Sequence, residues 1–276
     1  MSLLNDFIPR ALLAGAVVGA AAPAIGTFVV QRRLSLMGDG IGHIAFAGVA
    51  IGLWLNISPL ASALVFAVAG AIAIDALRRR SPEEADIGLA LFFYASIGAA
   101  VVVTSLSGRF NASLLGVLFG QLLTVTTGEL VTIVVLALVI LGVVVGLYRG
   151  LVAVAIDEEA ATVRGLPVGA LNIGLMVLTA LTIGVGMRVV GILLVAALMV
   201  LPVGAARNLV RSFRATVIAA SVIGVVSAIA GVLVSNQADS APSGTIVLVA
   251  AGIYLLSDAA SVLRRRSVAR RRPADA

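Results

Sequence analysis

Asp39 and His43 are the residues of this sequence best suited to chemistry, and both lie in the run GDGIGH at the start of an apolar stretch. They are four positions apart, so on a helix their side chains share one face, with Cβ atoms about 5–6 Å apart. Carboxylate oxygen and imidazole nitrogen bind zinc, manganese and iron as divalent ions. Ionisable groups in such an apolar segment are costly and mark functional sites by default. The spacing therefore predicts that Asp39 and His43 are metal ligands.

A purely structural interpretation of this pair stays open at the level of sequence. Asp39 could cap the N-terminus of its helix, and His43 could be a buried histidine with its own hydrogen bonds. His43 is, however, the single histidine of the chain. One aspartate and one histidine also fall short of the four ligands that zinc prefers. Two copies of the chain around a two-fold axis would supply two of each, so we expect the pair to lie at or near the axis of a homodimer.

The sequence excludes several classes of enzyme. The chain has no cysteine, so it forms neither disulfides nor thiolate metal sites. It contains no G-x-x-x-x-G-K-[ST] run, the phosphate-binding loop with which a chain could hydrolyse ATP itself. A nucleophilic triad could use only His43, and no nucleophile elbow accompanies it. We therefore expect a protein that is not an enzyme and holds no permanently bound cofactor.

The composition places most of the chain in a membrane. Of 276 residues, 61% are hydrophobic and only 12% are charged, whereas soluble domains carry about 25% charged residues. A membrane-spanning helix needs about 20 mostly apolar residues. We therefore predict an all-α fold, a polytopic transmembrane bundle of about nine spanning helices. The predicted spans are 8–31, 39–56, 59–77, 87–107, 129–148, 168–187, 189–206, 214–235 and 244–263.

The arginines predict the orientation of this bundle. Every basic residue is an arginine, and the clusters lie between apolar stretches, at 78–80, 207–214 and 264–272. Placing these clusters in the cytoplasm puts the N-terminus outside and the C-terminus inside. The net charge of +6 thus reflects topology beside membrane lipid and does not indicate nucleic acid. We predict a single transmembrane domain, 1–263, and a basic, disordered cytoplasmic tail, 264–276.

Two features near the predicted outer face interrupt the regular pattern. The apolar piece from Ala112 to Leu123 is too short to span and is predicted to be a re-entrant or interfacial helix. Gln121 and Glu129 flank the outer end of the fifth predicted span. Their polar side chains make them candidates for an entry gate.

The longest polar interruption inside the bundle is AIDEEAATVRGLPV, at 155–168, on the predicted cytoplasmic side. Asp157, Glu158 and Glu159 place acids in the first turn of a short helix, as the helix dipole favours. Gly165 and Pro167 then end that helix. A short helix on the cytoplasmic face indicates a surface on which a partner protein docks.

These runs together resemble the ABC-3 group of zinc, manganese and iron permeases of ABC transporters. The run LSLMGDGIGHIAFAGVAIG is similar to the signature of that group's second helix. Other similar segments follow in the same order over nearly the whole chain: DIGLALFFYASIG at 86–98, LLGVLFGQLLTVTTGEL at 114–130 and MRVVGILLVAALMVLPVGAARNL at 187–209.

The resemblance implies a multi-pass permease subunit in the cell membrane of a prokaryote, working as a homodimer. It implies two further partners, a cytoplasmic ATP-binding subunit that uses the ATP and an extracytoplasmic metal-binding protein. Asp39 and His43 would then be ligands of the transported divalent metal ion. The segment EEAATVRG, at 158–165, would dock on the ATPase, and the residues implied in this coupling are Asp157, Glu158, Glu159, Ala160, Ala161 and Gly165.

Two other functions remain open from the sequence. One is a permease for a bulkier metal chelate such as a siderophore or cobalamin, whose pathway would not need bare ligands. The other is a secondary metal transporter that works without ATP. The choice among zinc, manganese and iron also stays open, because carboxylate and imidazole serve all three.

Overall fold

The computed structural model of the chain describes residues 2–80, 85–107 and 112–270. These residues form α-helices and one 3-10 helix, and no strand forms among them, which confirms the all-α prediction. The helices are α1 Ser2–Gln31, α2 Met37–Trp54, α3 Pro59–Arg80, α4 Ala85–Ser107, α5 Ala112–Phe119, α6 Thr127–Gly146, α7 Tyr148–Ile156, α8 Glu158–Val163, α9 Val168–Val189, α10 Ile192–Leu209, α11 Phe213–Ala238 and α12 Pro242–Arg270.

Within the described residues, eight of these helices are long and apolar enough to cross a membrane: α1, α2, α3, α4, α6, α9, α11 and α12. This confirms the multi-pass membrane architecture. The seventh predicted span, 189–206, corresponds to α10, Ile192–Leu209. The count of nine spans and the orientation of the termini stay predictions.

Three elements differ from the sequence-based boundaries. The fifth predicted span, 129–148, ends at Gly146, and α7 begins separately at Tyr148. The piece from Ala112 to Leu123 forms α5 and the start of a 3-10 helix, Leu122–Thr124. The helix α12 continues to Arg270, so the prediction of a disordered tail is wrong for 264–270. The rest of the predicted tail, 271–276, lies outside the described residues.

The core of the bundle is built from α1, α2 and α9, which are the most buried of the candidate spans, while α4, α6 and α12 present most of their surface to lipid. Small residues allow this packing, because helices in lipid associate through close van der Waals contact. At the crossing of α1 and α11, a Cβ on Gly19 would lie 2.6 Å from the carbonyl oxygen of Gly224. A larger side chain there would push the two helices apart.

Candidate functional site

Asp39 and His43 both lie on α2, as the spacing predicts. The helix begins at Met37, two residues earlier than the predicted span, and Leu36 precedes it without a side-chain cap. Asp39 therefore lies inside the first turn and is not the N-cap residue, so that structural explanation for the aspartate fails. A carboxylate in a first turn is favoured by the helix dipole. Both side chains are half-buried on a helix whose other residues are mostly buried.

Glycines on α2 bring neighbouring helices close on either side of this pair. A Cβ on Gly38 or Gly42 would lie 3.2 or 3.3 Å from side chains of α10, namely those of Ala196 and Ile192. A Cβ on Gly40 would instead lie 2.6 Å from Leu89 of α4. At 100° per residue, positions 39 and 43 fall between these two contact faces. The pair therefore occupies the strip of α2 between α10 and α4.

The His43 ring packs against α4 but leaves a nitrogen without a partner. Its centroid lies 4.2 Å from that of Phe93, in an edge-to-face arrangement. The Nδ1 atom is buried and makes no hydrogen bond. Buried polar atoms normally have a partner, and each exception calls for an explanation. A free Nδ1 is compatible with the predicted role of His43 as a metal ligand, and that role stays a prediction.

Asp39 likewise makes no hydrogen bond or ion pair with the residues that the structure describes. Among these residues, no third His, Cys, Asp or Glu joins the pair to form a group of three metal ligands. One copy of the chain thus offers one carboxylate and one imidazole at this position, which matches the donor chemistry of zinc, manganese or iron but not their full ligand number.

The predicted docking helix is α8, and its ends are defined by specific hydrogen bonds. The Asp157 side chain caps it by accepting from the Ala160 N–H at 2.9 Å. At the other end Gly165 has a φ of +74°, a conformation that suits glycine. The N–H groups of Gly165 and Leu166 donate to the carbonyl oxygens of Thr162 and Ala161 at 2.9 and 3.2 Å. These two hydrogen bonds together form a Schellman motif, which fixes a helix terminus.

The two faces of α8 differ in burial. Ala161 is buried against the bundle, whereas Glu159 is exposed and Val163 is 89% exposed. The apolar residue just before the helix, Ile156, is also exposed. An exposed apolar surface next to polar residues is typical of a protein contact, and the docking role of α8 stays a prediction.

Glu158 does not point toward that docking surface. Its carboxylate accepts from Arg32 Nη2 at 2.8 Å and from Asn172 Nδ2 at 2.8 Å, and Asn172 Oδ1 accepts from Arg32 Nη1 at 2.5 Å. These three side chains, here called the Arg32 triad, join the end of α1, α8 and α9. Burial lowers the pKa of the Arg32 guanidinium from its ordinary value, and nearby Arg78 lowers it further. Arginine nevertheless stays charged at any physiological pH.

The sequence-based prediction missed Arg32 and Asn172 as functional candidates. Arg32 lies in a short polar run just after the first predicted span, and Asn172 is a polar residue within the apolar span 168–187. An amide inside a membrane span is a signal that could have been used, because polar side chains there are costly. Its partners, however, are 140 and 14 residues away in sequence, and no local pattern connects them.

Gln121 and Glu129 have structural partners at the end of α9. Glu129 closes a capping box with Thr126 at the start of α6 and forms an ion pair with Arg188. The Gln121 N–H donates to the Arg188 carbonyl oxygen at 3.2 Å. Both residues thus connect the α5–α6 segment to α9, and a gating role for them stays a prediction.

Comparisons with known proteins agree with this architecture. The model of the ABC 3 transport family matches residues 4–261. The high-affinity zinc uptake system membrane protein ZnuB of Haemophilus influenzae is 30% identical over 247 residues, which cover 90% of this chain and 95% of that protein. The manganese transport system membrane protein MntC of Halalkalibacterium halodurans is 31% identical over 256 residues, covering 92% and 87%.

A solved structure has the same fold. PsaBC from Streptococcus pneumoniae, determined in complex with Fab, superimposes with a TM-score of 0.82 at 27% identity and covers 91% of this chain and 90% of its own. The family match extends over nearly the whole chain and the expected resemblance is confirmed. The protein is therefore a multi-pass membrane permease of a prokaryote that belongs to the ABC 3 transport family, a transport subunit and not an enzyme.

Proposed function

We propose that this permease carries a divalent transition metal ion, namely zinc, manganese or iron, into the cell with Asp39 and His43 as ligands in its pathway. The observation that carries the proposal is the buried, unpartnered Nδ1 of His43, one helical turn from a carboxylate that has no described partner. The names of the zinc and manganese relatives support this class of substrate.

The two side chains replace water around the ion. A metal ion that leaves water loses its hydration shell, and the loss is repaid only by ligands of suitable charge and geometry. The Asp39 carboxylate supplies a negative charge and the His43 imidazole a neutral nitrogen donor. Because the ion is the cargo, these ligands must bind it firmly enough for entry and weakly enough for release.

A second copy of the chain completes the ligand set. One chain offers two ligands, and four are needed for a closed zinc site. The pair lies on a half-buried strip between α10 and α4, and α4 is among the least buried spans. In a homodimer with its axis near this strip, two carboxylates and two imidazoles meet at one ion. We therefore expect one bound ion for each two chains.

Permeases of ABC transporters work with an ATPase and a substrate-binding partner, and α8 is the surface proposed for the ATPase. Asp157, Ala160 and Gly165 define the ends of this helix, Ala161 anchors it, and Glu159 and Val163 face outward. The external protein delivers the ion to the outer mouth, ATP binding and hydrolysis by the partner subunit move α8, and the ion is released inward.

The test compares metal binding and uptake by the wild-type permease with those of variants that lack one of the two proposed ligand side chains. The purified permease, its ATPase and the external protein are reconstituted in lipid vesicles, and bound zinc and manganese are quantified by mass spectrometry. Loss of an outer-shell partner alone weakens metal sites about 10- to 100-fold, so we expect Asp39→Ala and His43→Ala to weaken binding by at least about 100-fold. The matched control is Asp258→Ala, which removes an exposed carboxylate of α12.

Three results would count against the proposal in different ways. Unchanged binding in both ligand variants would show that the ion binds elsewhere. Uptake of an intact chelate but not of the bare ion would favour the chelate permease. Equal uptake with and without the ATPase would favour a secondary transporter.

A further inference from the structure

The turn between α1 and α2 lies between a residue that contacts the proposed docking helix α8 and the proposed metal ligands of α2. Arg32 precedes Asp39 by seven residues, and its guanidinium binds Glu158 of α8. The Arg32 side chain is 5% exposed, whereas that of Glu158 is 44% exposed. The ion pair therefore reaches from the edge of the docking helix into the interior of the bundle.

The connection between Arg32 and α2 is held by its own hydrogen bonds. The Arg33 and Leu34 N–H groups donate to the carbonyl oxygens of Val30 and Val29 at 3.1 and 3.0 Å, and the Leu34 carbonyl oxygen accepts from Met37 at 2.9 Å. Arg33 has a φ of +60°, so this is a Schellman end to α1. A turn with these bonds transmits displacement, because bending it would break them.

Asn172 of α9 prevents the ion pair from moving independently of the bundle. It is 1% exposed and hydrogen-bonds both charged partners, at 2.5 Å to Arg32 and 2.8 Å to Glu158. A planar guanidinium that binds two acceptors in this way is fixed in direction as well as in distance. A displacement of α8 thus displaces the end of α1 and, through the turn, the start of α2.

We propose that Arg32 is a positioning residue that couples movement of the docking helix α8 to the Asp39/His43 pair. This inference rests on the proposed function, because it assigns α8 to the ATPase and the pair to the transported ion. Arg32 itself touches neither the ion nor the partner. Its effect is on the efficiency with which ATP hydrolysis drives transport.

The experiment measures metal ions taken up per ATP hydrolysed by the complete transporter in proteoliposomes, with zinc or manganese as the probe. Arg32→Gln and Glu158→Gln remove one charge each. Coupling between distant sites is typically worth 5- to 150-fold, so we expect the ratio to fall at least about fivefold in both. Metal affinity of the resting permease and recovery of the ATPase with it should stay within about twofold of wild type, which a general structural defect would not allow.

Exposed charges outside the Arg32 triad and the docking surface provide controls. Arg33→Gln and Asp258→Asn each remove one charge from an exposed side chain and should leave the ratio unchanged. The charge-reversed double variant, Arg32→Glu with Glu158→Arg, should have a ratio of metal ions per ATP between those of the single variants and wild type. The reversed pair can still form, because Asn172 can both donate and accept hydrogen bonds.

The failure of this inference is distinct from that of the proposed function. Wild-type vesicles that take up no metal with ATP would refute the function and the coupling together. Normal uptake combined with an unchanged ratio in both charge-removed variants would refute the coupling alone. If Arg32→Gln does not fold, Glu158→Gln decides, because its side chain is half-exposed and glutamine keeps a hydrogen bond to Asn172.

Discussion

Replacing His43 by leucine should separate its function from stability. In the absence of metal, the buried Nδ1 has no hydrogen-bond partner, and such an atom costs about 1–3 kcal/mol. The substitution removes that cost but also removes the ring contact with Phe93, which is worth about 0.5–1.5 kcal/mol. We therefore expect His43→Leu to raise the free energy of unfolding of the metal-free permease by about 1 kcal/mol, while it abolishes metal binding.

The assay is the apparent melting temperature of the purified permease, with a chelator and then with excess zinc or manganese. A ligand at 100 times its Kd stabilises the folded state by about 2.7 kcal/mol, so the wild-type protein should melt at a higher temperature with metal. His43→Leu should melt above wild type in chelator and show no further increase with metal. Phe93→Leu is the matched control, since it removes the same ring contact, keeps both ligands and should retain the increase.

The result that would refute this reasoning is a clear loss of stability in His43→Leu in chelator. A decrease larger than that of Phe93→Leu would mean that the imidazole satisfies a structural need of the folded protein. The purely structural interpretation of His43, open from the sequence, would then be correct. Retained stabilisation by metal in His43→Leu would place the binding site elsewhere.

Three further predictions concern the scaffold around the site. Asn172→Leu should lower the free energy of unfolding by about 2–3 kcal/mol, because it removes one hydrogen bond from each of two charged groups; a melting temperature equal to wild type would contradict this. Gly120→Val should prevent folding, judged by yield and gel filtration, since φ is +76° and its Cβ would lie 2.6 Å from the Val189 carbonyl oxygen. Gly128→Ala, which has open space, should fold normally. Val163→Asp should reduce recovery of the ATPase at least about tenfold in affinity purification, as burying a charge at an interface costs more than 1.4 kcal/mol, and unchanged recovery would exclude this face of α8.

The bulk of the fold follows from hydropathy, because a lipid environment leaves the backbone little choice but helix. The boundaries depend on details that hydropathy does not contain. Gly191 has a φ of +88°, which ends α9 and starts α10 later than the predicted span at 189. Hydropathy runs smoothly through this point, since Val189, Val190 and Ile192 are all apolar. The backbone conformation of one glycine therefore moves the start of α10 by three residues, from 189 to Ile192.

Part of the candidate site can likewise be predicted from local sequence, whereas another part depends on how the helices pack. The Asp39/His43 pair is found from sequence because the i, i+4 spacing alone places both side chains on one face. The Schellman end of α8 is also local, since Gly165 indicates it. The Arg32 triad is not local, because its members come from three helices, and the packing of α1 against α9 is needed to bring them together.

Whether a buried polar group has a partner distinguishes scaffold from binding site in this permease. Arg32, Glu158 and Asn172 satisfy one another. Asp75 of α3, 2% exposed, accepts from Arg79 at 2.7 Å. Its second oxygen lacks a hydrogen bond but lies 3.6 Å from the Arg78 guanidinium, so its charge is compensated. A buried charge without a partner costs several kcal/mol. Each of these charged groups has a partner within the chain, so none of them needs a bound ion.

His43 departs from this rule within the described part of the chain. Its buried Nδ1 makes no hydrogen bond with the residues that the structure describes, and the ring packs edge-to-face against Phe93. A single substitution of His43 by leucine would remove the free-energy cost of this unpaired nitrogen, but it would also remove the imidazole. The unpaired nitrogen is therefore best explained as stability given up to keep a ligand available, and the melting experiment on His43→Leu measures that cost directly.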